Sequence, residues 1–218
     1  PLEINPQMIM WDPDTYDIAG WDDVRGTDAV VNTFAGAAYT EWLVGAGIID
    51  EDQLDPSYDG GPARFIAEQG DILQQGFASQ EPFNYENIFT DWGKPVDFLL
   101  IHDSGFPIYQ GAVAILDSRL DDDADACLSA FVPLIQQSAV DFQNDPVATN
   151  AAIVQAVVDL DSFWQLTDDS VANSVRVMTD LGLVSNGPDD TLGNFDLDRV
   201  ADIITAIREQ VPSVTVLE

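Results

Sequence analysis

The only histidine of the chain stands in His102-Asp103-Ser104, and these three residue types form hydrolytic triads. Triad members converge from separate segments, however, whereas adjacent residues that leave a strand point to opposite faces. No glycine-x-serine-x-glycine elbow surrounds Ser104, because His102 occupies the place of the first glycine. We therefore expect a loop at the carboxyl end of a strand here, and not a catalytic centre.

A second candidate is the acidic series Asp121, Asp123 and Asp125, which alternates like the opening of a calcium-binding loop. Ala126 replaces the glycine that such a loop needs at its sixth position, and Val132 replaces the glutamate of the twelfth. This pattern excludes an EF-hand and predicts an acidic start of a helix. Weak, nonspecific binding of cations stays open as an alternative.

Other motifs for cofactor or metal chemistry are incomplete. The stretch Phe34-Ala35-Gly36 has neither the three spaced glycines nor the lysine of a nucleotide-binding loop. Cys127 is the only cysteine, so neither an internal disulfide framework nor a cysteine-based zinc site is expected. The 39 acidic residues supply many carboxylate pairs, so no particular pair indicates glycoside hydrolysis. We expect no cofactor and no bound metal.

Three predicted strand ends carry small residues and aromatic residues towards one edge of a sheet, where open α/β sheets bind ligands. These ends are 33–36, 75–79 and 103–105. A strand that is followed by glycine or alanine at a helix start leaves free backbone N–H groups for a polar ligand. Phe77, Tyr85 and Tyr109 are the candidates to stack on that ligand. The alternative is that Phe77 and Tyr85 simply pack in the core.

The predicted secondary structure that must position these residues differs between the two halves of the chain. The first half alternates apolar runs with helical patterns, which predicts an α/β sheet. The strand candidates are 30–34, 71–76, 96–101 and 112–116, with helical patterns near 39–43 and 62–66. In the second half, the apolar spacing predicts helices at 124–142, 146–164, 168–181 and 197–211.

The composition limits the class of partner. The chain of 218 residues has 39 acidic and 7 basic residues, a formal charge of −32, yet 46% of its residues are hydrophobic. That apolar content predicts a folded core, despite a charge that would favour disorder in a less apolar chain. Nucleic acid and anionic membranes are disfavoured, because Lys94 is the only lysine. The charge is typical of a secreted protein or of a salty environment.

Several segments, in this order and spacing, resemble the solute-binding proteins of ABC importers. They are Ile9-Met10-Trp11-Asp12-Pro13, 33–39, 58–65, 76–82, 105–111 and 178–184. The chain is similar to the branch that contains the nitrate, taurine and sulfonate receptors and the thiamine-pyrimidine (NMT1/THI5-like) proteins. The resemblance implies a type II periplasmic-binding-protein fold, in which two α/β lobes with mainly parallel sheets close on a ligand.

The resemblance also implies a division of the chain. Residues 1–20 would end the first lobe and enter the hinge crossover, residues 21–117 would form the ligand-binding lobe, and residues 118–218 would return as helices to the first lobe. The family's opening strand and helix have no counterpart here, so we expect part of the first lobe and the secretion signal to be missing ahead of residue 1.

The expected function is capture of a small polar or heteroaromatic solute outside the cytoplasmic membrane and its delivery to the transmembrane subunits of a permease. Membrane tethering as a lipoprotein and a monomeric state are expected, and no enzymatic activity. The expected ligand-binding residues are Thr33, Phe34, Ala35, Gly36, Ala37, Gln75, Phe77, Glu81, Tyr85 and Tyr109. Glu81 and Asp103 favour a neutral or cationic heterocycle or amine over a sulfonate. The alternative is an enzyme on the same scaffold, either a thiamine-pyrimidine synthase or a carboxylate hydrolase, although the cysteine-rich motif of the synthases is absent.

Overall fold

The protein was analysed in a computed structural model that describes residues 1–162 and 164–211. The strands are β1 (Gln7–Trp11), β2 (Val31–Asn32), β3 (Leu54–Asp55), β4 (Leu73–Phe77) and β5 (Asp97–Leu100). The helices are α1 (Trp21–Val24), α2 (Ala38–Gly45), α3 (Ala63–Ala67), α4 (Glu81–Asn87), α5 (Asp122–Asn144), α6 (Val147–Asp159), α7 (Asp168–Asp180) and α8 (Leu197–Gln210). The expected α/β class is confirmed.

The five strands form one sheet in the order β3-β2-β4-β1-β5. Strand β2 runs parallel to both β3 and β4, with Val31 opposite Leu54 and Leu73. Strand β1 runs antiparallel to β4 and β5, with Ile9 opposite Gln75 and Leu99. The sheet is mixed: β3, β2, β4 and β5 run in one direction, in agreement with the expected mainly parallel sheet, and β1 enters the middle of the sheet in the opposite direction.

The sheet belongs to a unit that comprises residues 5–108 and the C-terminal residues from Leu197. Its main core lies on the face that carries Ile9, Val31 and Leu73, all at most 1% exposed. Helix α2 covers this face through Tyr39 and Leu43, and burial of such side chains contributes about 1.5–3 kcal/mol each. The apolar spacing of α2, which the sequence predicted, is what holds the helix against the sheet.

The opposite face of the sheet packs against a cluster of aromatic rings. Phe65 from α3 and Tyr85 from α4 meet edge to face with ring centroids 5.2 Å apart. Trp92 lies 4.8 Å from Phe65, and Phe89 lies 5.2 Å from Tyr85. Tyr85 is 1% exposed and therefore packs in the core. This is the second of the two alternatives given for Tyr85, the first being that it stacks on a ligand.

The second unit comprises residues 1–4 and 109–196 and contains helices α5, α6 and α7. Leu2 pairs with Gln110 in an isolated antiparallel bridge, and Leu2 N donates to Gln110 O at 2.8 Å. Asp121 is the N-cap of helix α5, and its carboxylate accepts from Ala124 N at 2.8 Å. This confirms that the acidic series starts a helix.

Two predicted elements of this unit differ from the observed structure. Residues 112–116 form no strand, although their apolar run predicted one, because no described strand of the unit lies beside them to complete a ladder. The predicted helix 146–164 ends at Asp159, and Phe163, which it includes, lies outside the described residues. The two units meet in the chain near residue 109, and the expected boundary at 117 with its assignment of lobes stays a prediction.

None of the helices in the described ranges is both long and apolar enough to cross a membrane.

Candidate functional site

The loop of residues 33–37 follows β2 and is fixed to the neighbouring chain at its start. Thr33 N donates to Asp55 O at 2.9 Å, and Thr33 O accepts from Tyr58 N at 3.0 Å. Thr33 is 1% exposed, whereas the next three residues, which are Phe34, Ala35 and Gly36, are exposed. The loop is thus held by backbone hydrogen bonds where it leaves β2, and its tip is accessible. Gly36 permits the turn at the tip, because its φ of +75° is a conformation that favours glycine.

The amino end of α2 immediately follows this tip and has no side-chain cap. Its N-cap residue is Ala37, which has no side-chain acceptor for the first N–H groups of the helix. Within the described ranges, the N–H groups of Ala35, Gly36 and Ala38 have no hydrogen-bond partner. Free N–H groups at the amino end of a helix attract hydrogen-bond acceptors. The loop therefore leaves backbone donors exposed, and their use by a polar ligand stays a prediction.

Gln75 supports this loop from strand β4. Its Oε1 accepts from Phe34 N at 3.1 Å and from the hydroxyl of Tyr39. Its Nε2 is buried and has no partner among the described residues. Gln75 is 1% exposed, and an unpaired buried donor costs about 1–3 kcal/mol, so the protein keeps a polar group here at a cost in stability.

Phe34 supplies the aromatic surface of the loop. Its ring lies 4.7 Å from the ring of Tyr58 at an interplanar angle of 51°, and 39% of Phe34 is exposed. Tyr58 itself is buried, and its burial raises the pKa of its hydroxyl, with a further contribution from the charge of Glu81. Tyr58 therefore holds one side of the Phe34 ring and leaves the rest accessible to a flat ligand.

Two further buried amides, Asn32 and Gln74, lie on β2 and β4. Asn32 and Gln74 stand opposite each other in the parallel register. Asn32 Nδ2 donates to Asp55 O and to Ser57 Oγ, each at 3.2 Å, and Gln74 Nε2 donates to the Tyr85 hydroxyl at 2.7 Å. Asn32 Oδ1 and Gln74 Oε1 are buried without a donor in the described chain. The parallel strands thus hold two buried acceptors without a donor, on the face of the sheet opposite that of Gln75.

Glu81, at the amino end of α4, is the last polar residue of the candidate site. Its Oε2 accepts from Phe77 N at 2.7 Å, which fixes the turn that leads from β4 into the helix. Burial raises the pKa of the Glu81 carboxyl above its ordinary value of 4.5, and the hydrogen bond from Phe77 opposes this shift. Gly76 makes room for Glu81, because a Cβ there would lie 3.0 Å from Glu81 Cγ.

The raised pKa of Glu81 predicts a pH dependence of stability. The folded protein binds the Glu81 proton more tightly than the unfolded chain, so stability falls as pH rises from about 4.5 through the folded pKa. Glu81→Gln keeps an acceptor for Phe77 N and removes this loss. In urea unfolding at several pH values, we expect the variant to gain stability over the wild type as pH rises.

The matched control for this experiment is Glu86→Gln, which removes a charge from the exposed side of the same helix. It measures the benefit of lowering the net charge of −32 by one unit. An equal gain for both variants at every pH would show that burial of Glu81 has no effect of its own. A wild type that gains stability over Glu81→Gln as pH rises would also contradict the assignment.

The structure brings most of the predicted site residues into one unit. Thr33, Phe34, Ala35, Gly36 and Ala37 form the loop, and Gln75, Phe77, Glu81 and Tyr85 lie on β4 and α4. Tyr109 belongs to the other unit, where its hydroxyl accepts from Asp196 N at 2.9 Å and its ring packs edge to face on Phe195 at 5.0 Å. Their role in binding stays a prediction.

Sequence reasoning missed four polar members of this group, which are Asn32, Tyr39, Tyr58 and Gln74. The available signal was the presence of amides in apolar strands, since Asn32 follows Val30-Val31 and Gln74-Gln75 follows Ile72-Leu73. Buried amides in strands need partners, so their position predicts either a polar network or a ligand. Their pairing depends on strand register, which the local pattern does not contain.

The segment His102-Asp103-Ser104 has no triad geometry. It forms a single turn of 3₁₀ helix at the end of β5. Ser104 Oγ donates to Ile101 O at 2.7 Å and accepts from Trp42 Nε1 at 3.2 Å. Burial lowers the pKa of His102, and Arg199 lowers it further. The serine hydroxyl therefore anchors the turn, which agrees with the expected loop at a strand end.

No potential metal site is found in the described residues, and the two cavities described below are lined by other residues. In residues 1–162 and 164–211, no three histidine, cysteine, aspartate or glutamate side chains are grouped so that they could hold a metal ion. An open depression of about 570 Å³ lies beside Trp21, Ile48 and Ser104 in the sheet unit. An apolar groove of about 380 Å³ lies in the helical unit between α5 and the residues around 113 and 193.

Comparison with known proteins gives no relative that assigns this site, because no family model and no curated protein matches the chain.

Proposed function

We propose that the protein captures a small polar or heteroaromatic solute outside the cytoplasmic membrane and delivers it to the permease of an ABC importer. The observation that carries the proposal is the exposed loop 33–37 with its free N–H groups, which is held through Phe34 N by the buried amide of Gln75, whose Nε2 has no partner among the described residues. Binding requires no chemistry on the solute. The type II periplasmic-binding-protein fold, the permease partner, the membrane tether and the monomeric state belong to the same proposal.

The chemistry of the loop narrows the solute class. Free backbone N–H groups bind acceptors such as a ring nitrogen or a carbonyl oxygen. A full negative charge is repelled by a protein with a net charge of −32, and Glu81 adds a carboxylate near the loop. The partly exposed ring of Phe34 favours a flat ligand. A neutral or cationic heterocycle with ring acceptors satisfies all three conditions better than a sulfonate does.

Calorimetric titration of the full chain tests this proposal with two probes, the aminopyrimidine part of thiamine and taurine. We expect one-to-one binding of the aminopyrimidine and binding of taurine that is at least about tenfold weaker. Phe34→Ala removes the stacking surface, and we expect it to weaken aminopyrimidine binding by about tenfold, since an aromatic pair contributes about 0.5–1.5 kcal/mol beyond its buried area.

Phe131→Ala is the matched control, because Phe131 is 50% exposed and lies on α5 in the other unit. It changes the same residue type at an exposed position of the other unit, so we expect binding within a factor of about two of the wild type. Taurine binding as tight as aminopyrimidine binding would overturn the solute class. Equal effects of the two alanine variants would overturn the location of the site.

A further inference from the structure

The amide of Gln75 is bonded both to the loop 33–37 and to helix α2. Its Oε1 accepts from Phe34 N at 3.1 Å in the loop and from the Tyr39 hydroxyl in the helix. Tyr39 and Gln75 are each 1% exposed, so the bond between them is shielded from water. One oxygen of a buried side chain therefore links the loop to the helix that follows it in the chain.

The two donors determine which way the Gln75 amide faces. A backbone N–H group can only donate, so Phe34 N needs the oxygen of the amide and not its NH₂ group. Burial raises the pKa of the Tyr39 hydroxyl, which therefore keeps its proton and donates it to the same oxygen. With the oxygen in this position, Nε2 has no partner among the described residues. The protein thus leaves one buried donor unpaired and places an acceptor against the loop.

Tyr39 holds the amide in this position. Without the hydroxyl, the bond from Phe34 N would be the only one to Gln75 Oε1 from the described part of the chain. The unpaired Nε2 favours any movement that brings it to an acceptor or to water, because an unpaired buried donor is costly. The hydroxyl opposes that movement from a fixed position, since α2 is packed on the main core through the fully buried Leu43.

The loop depends on this anchor just before its exposed tip. Thr33 is bonded through its backbone N–H and C=O groups, and the bond from Phe34 N to Gln75 comes next. The N–H groups of Ala35 and Gly36, which follow, have no partner within residues 1–162 and 164–211. Donors bind a solute more tightly when they are already held in place, since ordering them on binding costs free energy. The position of these two donors therefore depends on the Gln75 amide.

We infer that Tyr39 is a positioning residue of the solute site, which acts through the Gln75 amide and does not touch the solute. This inference rests on the proposed binding of a solute at the loop 33–37. It also gives Gln75 a role other than the expected direct contact, because its oxygen is already bonded to the loop and to α2. The backbone donors of the loop bind the solute, and the two buried side chains hold these donors in place.

Hydrogen exchange of single amides, followed by NMR, tests the anchor without any solute. Tyr39→Phe removes only the hydroxyl, and we expect the Phe34 amide to exchange about tenfold faster than in the wild type. The Leu73 amide donates to Val30 O at 2.8 Å inside the sheet unit and reports on general loss of stability. The ratio of the Phe34 rate to the Leu73 rate should therefore rise, because the loop loses its anchor while the sheet keeps its hydrogen bonds.

Tyr16→Phe is the matched control for this substitution. The Tyr16 hydroxyl donates to Asp71 Oδ1 at 3.1 Å in the same unit, so the variant loses the same kind of bond away from Gln75. We expect the ratio of the two exchange rates to stay within about twofold of the wild type. An equal acceleration at Phe34 and Leu73 in Tyr39→Phe would show a general loss of stability and overturns the inference.

Calorimetric titration with the aminopyrimidine part of thiamine tests the consequence for binding. We expect about fivefold weaker binding by Tyr39→Phe and binding within about twofold of the wild type by Tyr16→Phe. Gln75→Met removes the acceptor itself and should weaken binding at least about tenfold. Weaker binding by Gln75→Met together with wild-type binding by Tyr39→Phe would assign a direct contact to Gln75 and overturns the inference.

The two measurements separate this inference from the proposed function. Absence of aminopyrimidine binding by the wild type would overturn the proposed function, whereas the ratio of exchange rates would still decide whether Tyr39 anchors the loop. An unchanged ratio in Tyr39→Phe overturns the inference even if the wild type binds the aminopyrimidine. Circular dichroism establishes that each variant is folded before the values are compared.

Discussion

Replacing Lys94 by methionine will lower the free energy of unfolding by about 2 kcal/mol, less than for a fully buried ion pair because Lys94 itself is 37% exposed and water screens its charge. Lys94 Nζ donates to both carboxylate oxygens of Asp12, at 2.9 and 2.8 Å, and to Asp14 at 2.9 Å. Asp12 has a side chain that is only 3% exposed, so the variant leaves its charge buried without a cation. Trp92, whose ring lies 4.8 Å from Nζ, also loses its cation.

The ion pair has a structural role at the end of β1. Asp12 directly follows this strand and also accepts from Asp14 N at 3.1 Å and from the Thr15 hydroxyl at 3.2 Å. The hydrogen bond to Asp12 raises the pKa of Lys94 above its ordinary value of 10.5. Stability from this pair is therefore complete below pH 10.5 and is lost as pH rises through the folded pKa, so the difference between wild type and variant should shrink in alkali.

Arg176→Met is the matched control for Lys94→Met. Arg176 pairs with Asp180 at 2.7 Å on the surface of α7, and both side chains are more than half exposed. An exposed pair of this kind contributes about 0.3–0.5 kcal/mol, so urea unfolding should detect little change. Equal destabilisation by the two substitutions would mean that Asp12 is not buried in the way described.

The second large effect is expected from Gly45→Ala, which should cost about 3 kcal/mol and displace α8 from α2. A Cβ at Gly45 would lie 1.8 Å from the carbonyl oxygen of Gln210 and 2.8 Å from its carbonyl carbon. Backbone atoms do not move aside as a flexible side chain does, so the cost lies at the upper end of the range for overpacking. Ala206 and Ile207 of α8 pack on the main core and would lose part of this contact.

Urea unfolding measures the cost, and hydrogen exchange of α8 amides measures the displacement. Gly26→Ala is the control, because no atom lies within 4 Å of its added Cβ and its φ lies outside the left-handed region. We expect a change of less than about 0.5 kcal/mol for the control. Unchanged exchange in α8 of Gly45→Ala would contradict the close packing of the two helices.

The elements that the sequence predicted correctly are those with a strong local signal. Helix α2 has apolar residues at helical spacing and ends near Gly45 and Gly47, and the strand before it ends in small residues. The loop 33–37 follows from this arrangement, because a strand and a helix that are joined by alanine and glycine leave backbone groups free. Its position could therefore be predicted without knowledge of its neighbours.

Strand β1 was missed as an element because its residues do not alternate. Met8, Ile9, Met10 and Trp11 are all buried, since β1 lies inside the sheet and both of its faces are covered. Its direction depends on pairing with β4 and β5, which lie far along the chain. The single antiparallel strand in an otherwise parallel sheet therefore could not be predicted, because strand direction is a property of long-range contacts.

The opposite error occurred at residues 112–116, where a local apolar run predicted a strand that the described chain does not form. An apolar run specifies burial, but a strand needs a neighbour, and none is present beside this segment in the described part of its unit. The same separation of local and long-range information applies to Asn32 and Gln74, whose pairing depends on the parallel register of β2 and β4.

The central claim is that the protein binds a solute at the loop 33–37 without changing it. The most direct test is to incubate the full chain with the aminopyrimidine part of thiamine, separate the complex, and quantify the bound molecule by mass spectrometry. We predict one equivalent of unchanged aminopyrimidine per chain, and its loss in Phe34→Ala under the same washing conditions. Recovery of a converted product, or of no bound molecule from the wild type, would contradict this claim.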